Sequence, residues 1–172
     1  MLWSDPLRSG VDRSVSVRVC ITGEDDSTRE PSDLLAIAQA FAECTSPDDC
    51  VDLSVGLTKD QDHVCLKSEQ DVQALIDAAA SLNGPETMLD VYFDNRIPSM
   101  FYQAIMAQLM PQFHTVRCYW KPGAFFRPVQ GQLSHSRVQR VVAGDQPGTA
   151  VPPVLAAHLA TLVAAGRAGS ES

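Results

Sequence analysis

The sequence predicts an α+β fold for its first half, built from strands buried on one face and two amphipathic helices, with a helical extension behind it. Three observations lead there. Four segments between residues 14 and 94 alternate apolar and polar side chains with period two, the mark of a strand with one face on a core. Two stretches with apolar residues at helical spacing interleave with them, so the order is strand, helix, hairpin, helix, strand. No strand is the continuous apolar run of a parallel sheet covered on both sides, which disfavours a doubly wound nucleotide-binding fold.

In the first strand Val15, Val17, Val19 and Ile21 point one way, and Ser16, Arg18, Cys20 and Thr22 the other. A helix is expected over 32–44, where Leu34, Ile37, Ala38 and Phe41 form a stripe and Pro31 stands where its missing N–H costs little. The second strand sets Leu53, Val55 and Leu57 against Asp52, Ser54 and Gly56, and the third sets Val64 and Leu66 against His63, Cys65 and Lys67. Lys59–Asp62 between them reads as a tight polar turn, and a link this short predicts an antiparallel hairpin. A second helix carries Val72, Leu75, Ile76, Ala79 and Leu82; Ser68 is its expected N-cap, with Asp71 three residues on and Gly84 as its stop. The fourth strand sets Leu89, Val91 and Phe93 against Asp90, Tyr92 and Asp94. This gives a flexible N-terminus over 1–13, a domain over 14–94 and an extension over 95–172. The extension has helices near 98–110 and 152–165, a candidate strand over Thr115–Lys121 and a loop-rich stretch over 122–150.

Hydrophobic residues make up 45% of the 172, enough for a real core. No apolar run approaches the ~18–20 residues of a membrane helix, and Met1–Pro6 lacks the basic and apolar regions of a signal peptide. Five cysteines, none in a CxxC pair, argue against a disulfide framework or zinc site and for a reducing, cytoplasmic setting. Charge is divided unevenly. Residues 14–94 carry 17 acidic and 4 basic side chains, a net of −13, whereas residues 95–172 carry 2 and 7, a net of +5. The acidic half disfavours nucleic acid as a partner, and the split predicts that the basic half docks on an acidic surface.

The stretch Lys59–Val72 resembles the acidic signature of PB1 domains, a ubiquitin-like β-grasp interaction module. Asp60 and Asp62 match the family's acidic turn, one residue shorter here and without its usual glycine. Val64 and Leu66 match the strand, and Ser68, Glu69 and Asp71 the helix start. Arg18 holds the place of the family's outward-facing basic residue on the first strand. The pattern over 14–94 is closest to sequestosome-type autophagy receptors, including Arg29-Glu30, and Ser134-His-Ser-Arg137 is similar to a short stretch in them. The resemblance implies a PB1-like scaffold that binds another PB1 domain or itself, head to tail, through the acidic cluster Asp60, Asp62, Glu69 and Asp71 and the basic Arg18. A PB1 domain also has a second strand before its first helix, and residues 24–31 read poorly as one. Without it the order matches a ferredoxin-like βαββαβ fold, which stays open.

No phosphate loop, Ser-His-Asp arrangement, calcium loop or metal spacing among His63, His114, His135 and His158 is present, so no cofactor and no catalytic residue is expected. Two rival functions stay open on the residues alone. One is a small α+β enzyme with a site between the halves, using Cys118 with His114; the other is a ferredoxin-like regulatory or ligand-binding subunit.

Overall fold

The computed structural model describes residues 2–4, 14–21, 32–44, 46, 48–56, 64–66, 68–82, 85–93, 97, 99–131, 133, 135–144 and 150–170. Among these residues seven strands form one sheet: β1 (Leu2–Ser4), β2 (Ser14–Ile21), β3 (Cys50–Gly56), β4 (Val64–Leu66), β5 (Thr87–Phe93), β6 (Thr115–Trp120) and β7 (Arg140–Ala143). From β2 the order runs β3, β5, β6, β7, and every pairing along it is parallel. Two short strands share the outer edge of β2, β1 antiparallel against Val15–Val17 and β4 parallel against Val19–Ile21. Leu2–Ser4 lies within the stretch read as a flexible N-terminus.

The helices are α1 (Ser32–Ala42), α2 (Glu69–Ala80), α3 (Ser99–Ala104) and α4 (Pro153–Ser170). They line one face of the sheet, with α1 packed on α2, and α2 on α3 and its continuation. Two rows of apolar side chains face them across the strands: Val17, Leu53, Leu89 and Val116, then Val19, Val55, Val91 and Cys118, all at most 1% exposed. No helix among the described residues lies on the opposite face. Nor is any helix among them long and apolar enough to cross a membrane.

This α/β architecture overturns the α+β expectation in both its forms, the ubiquitin-like β-grasp of a PB1-like domain and the ferredoxin-like alternative, because each is a mixed sheet with antiparallel pairs among its main strands, whereas here every pairing from β2 to β7 is parallel. The expected hairpin is the clearest correction. β3 and β4 run parallel to each other on opposite sides of β2, and Val55 and Val64 both pair with Val19. A short link cannot carry a chain back along a long neighbouring strand. Here it need not, since β4 has three residues and starts level with the end of β3. The end of β3 and the start of β4 are about two strand spacings apart, or roughly 10 Å. The turn itself, with Asp60 and Asp62, lies outside the described residues, as do residues 24–31, Gly84 and Ser134.

Local chemistry fixes the helix layer. Ser68 and Asp71 form the reciprocal capping box at the start of α2, each side chain taking the other's backbone N–H. After Ala104 the helix widens into a π-turn, Ile105–Leu109, in which the Met110 N–H reaches Ile105 O. Pro111 has no N–H to offer, so the Met106 carbonyl loses both donors that a helix would supply. His158 of α4 replaces them, its Nε2 donating to Met106 O at 2.8 Å. Among the described residues the parallel crossover from β6 to β7 has no helix of its own, and side chains anchor it. The Tyr102 hydroxyl donates to Arg127 O and accepts from Arg127 N, while Ser136 Oγ donates to Leu162 O. The Arg137 guanidinium donates to the Leu82 and Ala80 carbonyls at the C-terminus of α2, where a cation is favoured. Gly166 lets α4 lie against this crossover, since any Cβ there would collide with the Val138 carbonyl.

Candidate functional site

The uncovered sheet face gathers the chain's most organised polar chemistry. Because side chains alternate, each strand that buries valine or leucine under the helices turns its polar residues outward. The parallel register lines these up in rows. Ser16, Asp52, Met88, Thr115 and Arg140 form one row, and Arg18, Ser54, Asp90, Arg117 and Val142 the next. Tyr92 and Tyr119 pair one step further on, towards the C-terminal ends of the strands.

Asp90 and Arg117 are direct neighbours across β5 and β6 and make a two-pronged ion pair, Nε to Oδ1 at 2.6 Å and Nη2 to Oδ2 at 2.8 Å. The Asp90 side chain is 8% exposed and Arg117 33%, so the pair is largely withdrawn from water and geometrically fixed. Beside it Tyr92 and Tyr119 stack with centroids 5.0 Å apart and planes 19° from parallel. Gly56 makes room for them, because an added Cβ would sit 3.2 Å from Tyr92 Cβ. Tyr92 is 48% exposed and Val142 39%, so the face offers apolar surface around its ion pair.

Asp52 is the anomaly. Its Oδ1 is shielded from solvent and has no hydrogen-bond partner. The Met88 side chain beside it has no donor, and the Arg117 fork is engaged by Asp90. Burial pushes the Asp52 carboxyl above its ordinary 3.8, the neighbouring Asp90 carboxylate adds to this, and Arg117 and then Arg18 oppose it. A carboxylate held this way destabilises the fold and calls for a cationic donor.

Of the residues expected from sequence, Arg18 stands exposed on this face, one row from Asp52. Glu69 and Asp71 do not join it. They begin α2 in the helix layer, where Asp71 is part of the capping box. Ser136 and Arg137, from the 134–137 stretch, hold the crossover in place. Cys118 faces the core with its thiol pushed up to about 12, first by burial and then by Asp90, so it is no nucleophile at neutral pH. Asp52, Asp90, Arg117, Tyr92 and Tyr119 were missed as a group. Their signal lies in two matching triplets, Asp90-Val91-Tyr92 and Arg117-Cys118-Tyr119, whose spacing pairs opposite charge with charge and ring with ring in a parallel register. No group of three or more potential metal ligands occurs among the described residues. No family model, curated protein or solved structure matches the chain.

Proposed function

We propose that the protein is a protein-interaction module that docks through the open sheet face, with a second copy of the chain as its partner across a two-fold axis. The observation that carries this is the placing together of a half-buried Asp52 carboxylate, one oxygen of which has no partner within the chain, and an exposed Arg18 on an uncovered sheet face. Opposite charges side by side on one surface are self-complementary. A two-fold axis between them sets Arg18 of each copy against Asp52 of the other. Tyr92 and Tyr119 fit the same use, since tyrosine and arginine dominate the energetically important positions of interfaces. Consecutive parallel strands with helices on one side are also how solenoid proteins present a binding surface, although no sequence repeat accompanies the arrangement here. Cys44, Cys50 and Cys118 carry thiols, which suits a reducing, cytoplasmic setting.

The face is small. Five strands about 4.8 Å apart and roughly seven residues long cover on the order of 550 Å² per copy, which belongs to the weak, transient class of interfaces. Sedimentation velocity from about 10 μM to about 1 mM, repeated over a salt series, tests the proposal. Association that weakens with salt and is lost in Asp52→Asn is expected. A single monomer boundary throughout would overturn self-association. Association that survives Asp52→Asn and disappears in Glu69→Lys would point to a head-to-tail contact between the acidic start of α2 and Arg18.

A further inference from the structure

A groove of about 610 Å³ lies between α4 and the irregular crossover, lined by Val129, Leu133, Val154, Ala157 and Thr161 around His158. It is open to solvent, its volume falls within the 300–1,000 Å³ range of small-molecule sites, and its walls are mainly apolar, with His158 and Thr161 as the polar side chains. The chemistry of His158 is fixed from behind. A carbonyl oxygen only accepts, so the Nε2 bonded to Met106 O must carry the ring proton. Neutral imidazole then holds its lone pair on Nδ1. Burial lowers the pKa of His158, which keeps the ring in this neutral form near pH 7. His158 lines the groove with its Nε2 bonded to Met106 O, so the acceptor that remains on the ring is Nδ1.

We infer that this groove is a binding site for a small, predominantly apolar molecule carrying one hydroxyl or N–H donor, received by His158 Nδ1. The site is distinct from the open sheet face, which is on the other side of the sheet. Two features make it preformed. The π-turn and Pro111 oblige His158 to hold one orientation, and Gly166 together with the Ser136 bond to Leu162 O holds α4 against the crossover. The walls select for apolar bulk, and the His158 lone pair selects for a donor and against carboxylates or phosphates, whose negative oxygens would face it.

Titration with p-cresol, using toluene as a ligand of like shape without a donor, tests the inference on the full chain by backbone and imidazole ¹⁵N correlation spectra. Expected are saturable shifts at Val129, Val154 and Ala157 with a move of the His158 Nδ1 resonance. p-Cresol should bind about three- to tenfold more tightly than toluene, the worth of one neutral hydrogen bond. Ala157→Trp, made at an exposed position on α4, fills the groove and abolishes both the shifts and the discrimination, while its spectrum elsewhere confirms folding. Shifts absent up to saturating ligand, equal binding of toluene and p-cresol, or unchanged binding by Ala157→Trp would each overturn the assignment.

Discussion

Replacing Asp52 by asparagine separates a residue kept for stability from one kept for use. The substitution preserves shape and removes the charge. An unpartnered carboxylate out of water costs more than a neutral amide in the same place, by on the order of 1–3 kcal/mol, and only that difference is recovered, since the asparagine oxygen stays unpartnered. Asp52 is only partly buried, and Arg117 and Arg18 offset some of the penalty, so the low end applies. Asp52→Asn should therefore stabilise the protein by about 1 kcal/mol, raising Tm by about 2–4 °C in a chain of this size. The pH dependence follows from the raised carboxyl pKa. Over the interval above 3.8 the folded state keeps a proton that the unfolded state has released. Stability from this group is thus full below about pH 3.8 and is lost as pH rises through the folded value. Asp52→Asn should gain nothing at pH 3.5 and show its whole advantage at pH 7, measured by thermal melts followed by circular dichroism. Loss of stability at pH 7, or a gain that is the same at both pH values, would refute the account of Asp52. Stabilisation joined to loss of association would show that the carboxylate is retained for binding at the expense of the fold.

Arg117→Met leaves Asp90 with a withdrawn, unpaired charge. Fully buried cases cost about 3–5 kcal/mol, and because Arg117 is 33% exposed the expected loss is nearer about 2–3 kcal/mol in urea denaturation. Gly166→Ala drives a methyl into the Val138 carbonyl; about 1–3 kcal/mol should be lost, and hydrogen exchange over 153–168 should accelerate more than exchange in β3 or β5. Cys118 should stay unreactive to a thiol probe at pH 8 until the protein unfolds, because its thiol titrates at about 12. With the folded value raised above 9.0, the stability that Cys118 confers persists below pH 9 and falls as pH climbs towards 12, which an alkaline series of Cys118→Ala against the parent would register.

Hydrophobic alternation placed β2, β3, β4 and β5 within a residue or two of their observed bounds, because it reports which side of a strand meets a core. It says nothing about direction. Antiparallel pairing followed from the habit of parallel sheets to be covered on both faces, and this sheet breaks that habit. Val15, Val17 and Val19 alternate with Ser16 and Arg18 as they would in an antiparallel strand, since only one face has helices over it. Direction between β3 and β4 was hidden by the three-residue length of β4, which leaves a short link consistent with either geometry. Ser68 with Asp71 was legible as a cap because capping depends on four consecutive residues. Arg18 was legible as an outward-facing cation. Asp52 and Asp90 were visible only as outward residues, because their meaning comes from Arg117, 27 positions beyond Asp90 and brought there by the order of strands. The charge split between the halves resolves in part inside the fold, where Arg117 grips Asp90 and Arg137 caps α2.

The most direct test of docking through the open face is charge exchange between two variants. Arg18→Asp and Asp52→Arg should each be folded, by circular dichroism, and each monomeric in sedimentation velocity, since either change sets like charges opposite across the two-fold axis. Mixed in equal amounts they should associate. The aspartate introduced in one variant then meets the arginine introduced in the other, while the native Asp52 of the first meets the native Arg18 of the second. A dimer boundary in the mixture, absent from both components and weakened by salt, is the predicted result. A mixture that sediments as two monomers, although the parent protein associates, would contradict the proposed face.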